Sequence, residues 1–491
     1  MEEKAIRGLP WTFLTFASQK VVSSLTTIAL ARLLLPDDFG LVALAVLASD
    51  VISLLRDLGI GGAMIVRQDL DRRSQGTMLT LMIGSSALTA GLVAGMAPLA
   101  AFVLGESRLT TLLLVMAATS FFGGLSLYYD TLLQRELEFK RRFVVRLGST
   151  LVYAAVALAC AVAGLEVWSL VIGLIAGMVS STVIAMALAP YRVMPAFDRS
   201  RARDILKSGR GFLAQTILVF GQHNADFLVV GRVLGPTQLG LYTVAFRVAE
   251  LPYVAVAEPV SRAIFPGFAR MRHRGEQVVS SYLTTQRAVA LVVTPVAIIL
   301  SASAEPFTEL VFGDRWVPMI GALAVLALWA WVRGIQVTQS WILNATANQD
   351  LTAKIWAALF FVLVPALVPA AVYGSIETVA WVVFGNGVLA LLAQAVAVNR
   401  RLEITVREQW GAVRAAAYAA PVTWCATWVA EEMLDGVAPA AELAVCTAVG
   451  VVSYVAVVSV CAPGVLRETA GRIVQIMGVR AWRPVARGRQ Q

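Results

Sequence analysis

Nine charged residues stand inside otherwise apolar stretches of this chain: Lys20, Arg56, Arg247 and Arg333, and Asp50, Asp57, Asp226, Glu250 and Glu258. A charged side chain at the centre of a bilayer costs about 2.5–3.5 kcal/mol on insertion scales. Such residues are therefore expected to pair, to face water or to bind a ligand. Helical spacing groups them. Arg247, Glu250 and Glu258 share one face, as do Asp50 and Asp57. Lys20, Ser23, Ser24 and Thr27 form a polar stripe, and Arg333, Gln336, Ser340 and Asn344 form another. Gln222, His223 and Asn224 lead into Asp226. These stripes cannot face lipid, so they should line a shared aqueous cavity.

Two chemistries fit that cavity. Four cations against five acids are nearly neutral, so the charges can pair internally and fix the helix packing. Alternatively Lys20, Arg56 and Arg247, joined by Arg333, contact a substrate phosphate, because guanidinium presents a two-pronged donor to phosphate oxygens. The acids Asp50, Asp57, Asp226, Glu250 and Glu258 would then relay protons or bind a cation. Both hold if different states of a cycle use different partners. Pro252 and Pro259 each remove a backbone donor from one helix and suit gating kinks; tolerated packing prolines read the same way. Metal chemistry is not expected. The histidines, His223 and His273, have no partner at ligand spacing, and the four cysteines form no CxxC pair. No cofactor is implied, and no GxxxxGK[ST] loop marks ATP use.

The elements that must carry these residues are membrane helices. The chain of 491 residues is 58% hydrophobic and only 14% charged, against roughly 25% charged in soluble domains. Its mean hydropathy is +0.74. Apolar runs near 20 residues recur throughout. The alternating segments of a membrane β-barrel are missing from the pattern. The expected class is an all-α polytopic membrane protein. Fourteen helices are predicted at 9–33, 39–65, 76–103, 109–133, 144–164, 167–189, 208–232, 238–262, 287–311, 317–343, 352–373, 377–399, 412–431 and 440–462. The N-terminal segment reads as the first of these, not as a cleaved signal.

Between these helices 32 of the 40 Lys and Arg residues fall on one side, four on the other and four inside helices. Basic loops stay cytoplasmic, so both termini are expected there, in a bacterial cytoplasmic membrane. The net charge of +9 is thereby explained as topology and contact with anionic lipid, and nucleic acid is not an expected partner.

The chain also repeats itself. ARLLLPDDFGLVALA at 31–45 returns as GRVLGPTQLGLYTVA at 231–245, with Arg, Leu, Pro, Gly and Leu at a constant offset of 200 residues. Six helices separate the copies, so both have one orientation, the mark of a parallel repeat about the membrane normal. The expected organisation is an N-lobe at 1–190, a cytoplasmic linker at 191–207, a C-lobe at 208–399, two further helices at 400–462 and a basic tail at 463–491.

Three stretches resemble bacterial polysaccharide flippases: RLLLPDDFGLVALAVLASDVISLLRDLGIGGAMIVRQ at 32–68, NADFLVVGRVLGPTQLGLYTVAFRVAELP at 224–252 and QSWILNATANQDLTAK at 339–354. The family is the polysaccharide transporter branch of the multidrug/oligosaccharidyl-lipid/polysaccharide exporter superfamily, and the likeness is to its colanic-acid- and teichuronic-acid-exporter-like members, over residues 8–460. The resemblance implies two six-helix lobes in a V around a central cavity, and translocation of undecaprenyl-pyrophosphate-linked oligosaccharides for surface polysaccharide synthesis. It implies a lipid-linked substrate, membrane lipids and, through the family alone, a polymerase and export machinery as partners. Lys20, Arg56 and Arg247 match the family's basic cavity residues by helix and depth only. Rival readings are a drug or cation antiporter of the same superfamily, a peptidoglycan-precursor flippase and a membrane glycan polymerase. An enzyme is not expected, because no sizeable loop outside the membrane is available to carry catalytic groups.

Overall fold

The computed structural model describes residues 2–57, 60, 64, 71–257, 278–346, 348–434 and 436–462, with side chains except at 2–9, 55–57, 205–219 and 255–256. Arg56, Asp57, Glu258 and Pro259 carry expectations that fall outside the described side chains.

Fifteen α-helices follow one another among the described residues. The first half holds α1 (Glu2–Leu33), α2 (Pro36–Asp57), α3 (Arg72–Leu104), α4 (Leu109–Arg135), α5 (Phe139–Val162) and α6 (Val167–Leu188). The second holds α7 (Arg199–Val233), α8 (Pro236–Ala249), a π-turn at Tyr253–Ala257, α9 (Val278–Ala302), the short α10 (Ala304–Val311), a 3-10 turn at Asp314–Met319, α11 (Ile320–Ala345), α12 (Gln349–Val372) and α13 (Ile376–Leu402). The antiparallel pair α14 (Val406–Met433) and α15 (Pro439–Cys461) packs on α9 and α10.

Ten helical stretches among the described residues are long and apolar enough to cross a membrane. The expected spans that do not qualify are α2, α7, α8 and α14. Three of these carry the cavity charges. They pack between other helices and so need no apolar surface all round. Other boundaries moved for local reasons. The helix expected from 208 starts at Arg199, inside the expected linker, because the Asp198 carboxylate accepts from the N–H groups of Ser200 and Arg201 and caps it. The helix expected over 287–311 breaks at Ser303, where Pro306 has no N–H to continue the ladder. Helix α8 stops at Ala249, short of the expected 262, just before Pro252.

The repeated motif is the joint between the halves. Pro36 and Pro236 each begin a helix, a position where the missing N–H costs nothing. Helices α2 and α8 then cross backbone to backbone. A Cβ on Gly40 would lie 1.7 Å from the Pro236 carbonyl oxygen, and one on Gly240 would lie 1.8 Å from that of Pro36. Only glycine allows this approach. Thr237 donates to Asp37 Oδ1 at 3.1 Å, linking equivalent positions of the two copies. The motif arginine Arg32 reaches across the joint: its Nε donates to the Val311 carbonyl at 2.8 Å and its Nη2 to that of Leu310, closing the end of α10. Trp316 Nε1 donates to the Ala31 carbonyl at 2.9 Å.

One continuous core, including Leu30, Leu41, Leu44, Leu239, Tyr242 and Trp316, spans both halves at this end. At the end that carries the basic connections the halves keep separate cores, one around Met78, Tyr128 and Leu132 and the other around Tyr282, Leu343 and Val398. Among the described residues the apolar core is thus shared at the motif end and split in two at the basic end, where Arg201 and Asp71 still link the two sides.

Candidate functional site

The structure distributes the expected residues among an ion pair between the halves and a cavity in each half. Lys20 on α1 and Glu250, which caps α8, form the ion pair, Nζ to Oε1 at 2.5 Å, with about a quarter of each side chain exposed. Glu250 holds its position because α8 ends there, at the turn before Pro252. Arg247, one turn earlier, is exposed and has no ion pair or hydrogen bond among the described residues. Asp50 lies exposed on α2.

Lys20 also lines a cavity of about 560 Å³ within the first half, between α1, α4, α5 and α6. Its charged corner is Asp130, which is buried and receives two arginines. Arg142 donates Nε and Nη2 to the two carboxylate oxygens at 2.9 Å each, and Arg146 donates Nη2 to Oδ2 at 2.7 Å. Sequence reasoning counted Arg142 and Arg146 as loop charges and passed over Asp130. The signal was present, since an acid inside an apolar helix is itself such a marker. The connection after α4 is short, and the arginines on the first turns of α5 reach back to that helix.

The second half encloses a smaller cavity of about 60 Å³. Here five expected residues meet: Gln222, His223, Asp226, Arg333 and Gln336. Tyr242 donates its hydroxyl to Asp226 at 2.8 Å. Arg333 donates to Gln336 at 2.6 Å and lies over the rings of Trp356 and Tyr253, at 5.0 and 5.7 Å from their centroids. The chain continues through Gln336, Ser340 and Gln394. Gln222 Oε1 and Asn386 Oδ1 are buried without a partner among the described residues. Two expected residues stand apart. Asn224 turns back to donate to the Phe220 carbonyl of its own helix, and Asn344 is at the last turn of α11, away from this cavity. Pro252 is buried at the junction between α8 and the π-turn.

Outside the spans, two charged contacts tie connections down. Asp71 caps α3 and receives Arg201 from the start of α7; that guanidinium holds its carboxyl well below the ordinary range. Glu106 is lowered in the same way, first by its hydrogen bond from Arg108.

The profile of a family described as "Polysaccharide biosynthesis protein" matches residues 29–321. The chain belongs to this family. The match takes in both copies of the motif, α2, α8 and the walls of the first-half cavity that come from α4, α5 and α6. Among curated relatives, the lipopolysaccharide biosynthesis protein WzxC of Escherichia coli (strain K12) is 23% identical over 374 residues, which is 75% of each chain. The teichuronic acid biosynthesis protein TuaB of Bacillus subtilis (strain 168) is 27% identical over 335 residues, 67% of this chain and 68% of that one. The succinoglycan biosynthesis transport protein ExoT of Rhizobium meliloti (strain 1021) is 24% identical over 382 residues, 72% and 77% of the two chains. Among solved structures, the lipid II flippase MurJ in an inward closed conformation aligns with TM-score 0.74 at 12% identity, over 94% of this chain and 100% of that one. An inward-facing multidrug MATE transporter aligns with TM-score 0.63 at 16% identity, over 78% and 94%. These likenesses show that the family member has the fold of the multidrug/oligosaccharidyl-lipid/polysaccharide exporter superfamily.

Proposed function

We propose that this chain is a flippase that moves undecaprenyl-pyrophosphate-linked oligosaccharide across the bacterial cytoplasmic membrane by alternating access. The observation that carries the reading is the inter-half site: Lys20 and Glu250 paired across the halves, beside Arg247, which is exposed and without an ion pair among the described residues. The family membership and the transport and biosynthesis roles named for the relatives support it.

In this reading the basic end faces the cytoplasm with both termini, and residues 1–190 and 208–399 act as two lobes. The anionic head of the substrate enters between them while its polyprenyl tail stays in lipid. Arg247 meets the pyrophosphate with two parallel donors. Lys20 exchanges Glu250 for a phosphate oxygen, which releases the strap between the lobes. Opening of the far side then requires the Gly40–Gly240 crossing and the Arg32 contacts to part. Pro252 and the π-turn beside it provide a break at which α8 bends. Arg333 and the acids Asp226 and Asp50 have the proposed roles of substrate contact and of coupling or internal pairing. A polymerase and export machinery would take the delivered units.

The test is a leaflet assay in cells lacking the gene, with lipid-linked glycans probed for access from outside. Complete units trapped on the cytoplasmic side are the expected result. Units found outside but unpolymerised would transfer the role to polymerisation. Unchanged lipid-linked glycans would leave an antiporter of small molecules. An Arg247→Ala variant at normal membrane level should not restore export.

A further inference from the structure

We propose that the cavity between α1, α4, α5 and α6 is a saccharide subsite, which receives the sugars nearest the pyrophosphate. The proposal rests on the flippase reading and adds where the glycan sits.

Size and lining both point to a sugar. At about 560 Å³ the cavity falls within the usual range of small-molecule sites, which is roughly 300–1,000 Å³. Its wall is dense in short side chains that both donate and accept. Ser126 and Ser181 share a hydrogen bond at 2.6 Å. Gln19 donates to Thr150 Oγ1 at 3.3 Å and to the Arg146 carbonyl at 3.3 Å. A sugar hydroxyl is likewise donor and acceptor at once, so such groups match it. Phe16 and Tyr153 add aromatic surface for the apolar face of a pyranose ring.

The charged corner fits the same ligand. Asp130 occupies Nε and Nη2 of Arg146 and so fixes its guanidinium, while Arg146 Nη1 makes no hydrogen bond among the described residues. The site thus keeps one oriented cationic edge, suited to a sugar oxygen or an acidic substituent. Position agrees too. Lys20 belongs both to this wall and to the inter-half ion pair. A pyrophosphate held at Lys20 and Arg247 places its first sugars at the cavity mouth. The second-half cavity, at about 60 Å³, has no room for a sugar.

The experiment measures binding to the purified full-length protein in lipid nanodiscs. One probe is undecaprenyl pyrophosphate without sugar. The other is the lipid-linked oligosaccharide extracted from the host strain lacking the gene. Ser126→Leu fills the cavity; Thr150→Val removes a hydroxyl without adding volume. Ser126→Leu should weaken the sugar-bearing lipid about tenfold or more and Thr150→Val about threefold, with the sugar-free lipid binding each variant as it binds the parent. If Ser126→Leu does not fold, Thr150→Val carries the test. Parent-like binding of the sugar-bearing lipid by both variants would overturn the subsite and leave the flippase reading standing. Equal losses for both lipids would also overturn it. A parent protein that binds neither lipid would overturn the flippase reading itself.

Discussion

The two halves share one motif and hold different spaces. The first holds a cavity of about 560 Å³ walled by hydroxyls, an amide and a clamped Asp–Arg cluster. The second holds about 60 Å³, filled from the sides by Trp329, Trp356 and Phe246 and crossed by the stacked Arg333. At the motif end the copies remain nearly interchangeable, Gly40 against Pro236 and Gly240 against Pro36. The repeat therefore preserves the joint, where both halves must fit each other, and gives up symmetry in the interiors. Lys20 illustrates the divergence. At the offset of 200 its counterpart is Phe220, so the ion pair to Glu250 has no equivalent in the second half. The repeated motif thus keeps one symmetric joint while the interiors of the two halves differ in size and lining.

The joint is the place to break that comparison most severely. Gly40→Ala or Gly240→Ala sets a methyl against a carbonyl oxygen at under 2 Å. Each should cost about 3 kcal/mol or more through overpacking and abolish surface polysaccharide export. Thermal melting in detergent, alongside export, reads both effects. Equal losses from the two variants would confirm the symmetry of the joint; tolerance of either would refute the backbone contact.

The ion pair comes next. Lys20→Ala should lower stability by about 1–2 kcal/mol, since the pair is only partly shielded from solvent, and lower export tenfold or more if Lys20 also meets phosphate. The exchange Lys20→Glu with Glu250→Lys separates these roles. It should recover most of the melting temperature but not export, because the cation has moved to the other half. Recovery of both would reduce Lys20 to a packing contact.

Within the second half, Trp356→Ala removes one of the two rings over Arg333 and should cost about 1–2 kcal/mol from the lost cation–π contact, with export reduced only a few-fold. A larger export defect than that of a first-half cavity variant would reverse the assignment of roles to the halves. The smallest effect is expected at Asp71→Asn, on the exposed contact to Arg201. The native carboxyl is held below its ordinary 3.8, so its contribution is present above that value and fades as pH falls through it. Between pH 5 and 8 the difference in melting temperature between variant and parent should be small and constant.

Much of this was legible in the sequence. The recurring apolar runs gave the helices, and the few misplaced ends follow from Asp198, Pro252 and Pro306, whose capping or breaking is local but whose exact partner is not. The charges on α1, α7, α8 and α11 announced a polar interior, and two of them, Asp226 and Arg333, do meet with the polar Gln222, His223 and Gln336 around one small cavity. The larger cavity was missed. Its Asp130 lies on α4 and its Arg142 and Arg146 on the first turns of α5, in a basic stretch that already had an explanation in topology.

The sequence by itself determined the membrane class, the duplicated motif, the one-sided distribution of Lys and Arg and the set of charges kept away from lipid. These follow from composition and period, which act along the chain. Only the tertiary structure decided that Lys20 meets Glu250, 230 residues away, that Tyr242 satisfies Asp226, and that one half is hollow where the other is filled. Periodicity says which residues share a face of a helix. Which face it meets depends on the volumes of side chains on several helices at once, and on the two glycines that let the halves touch.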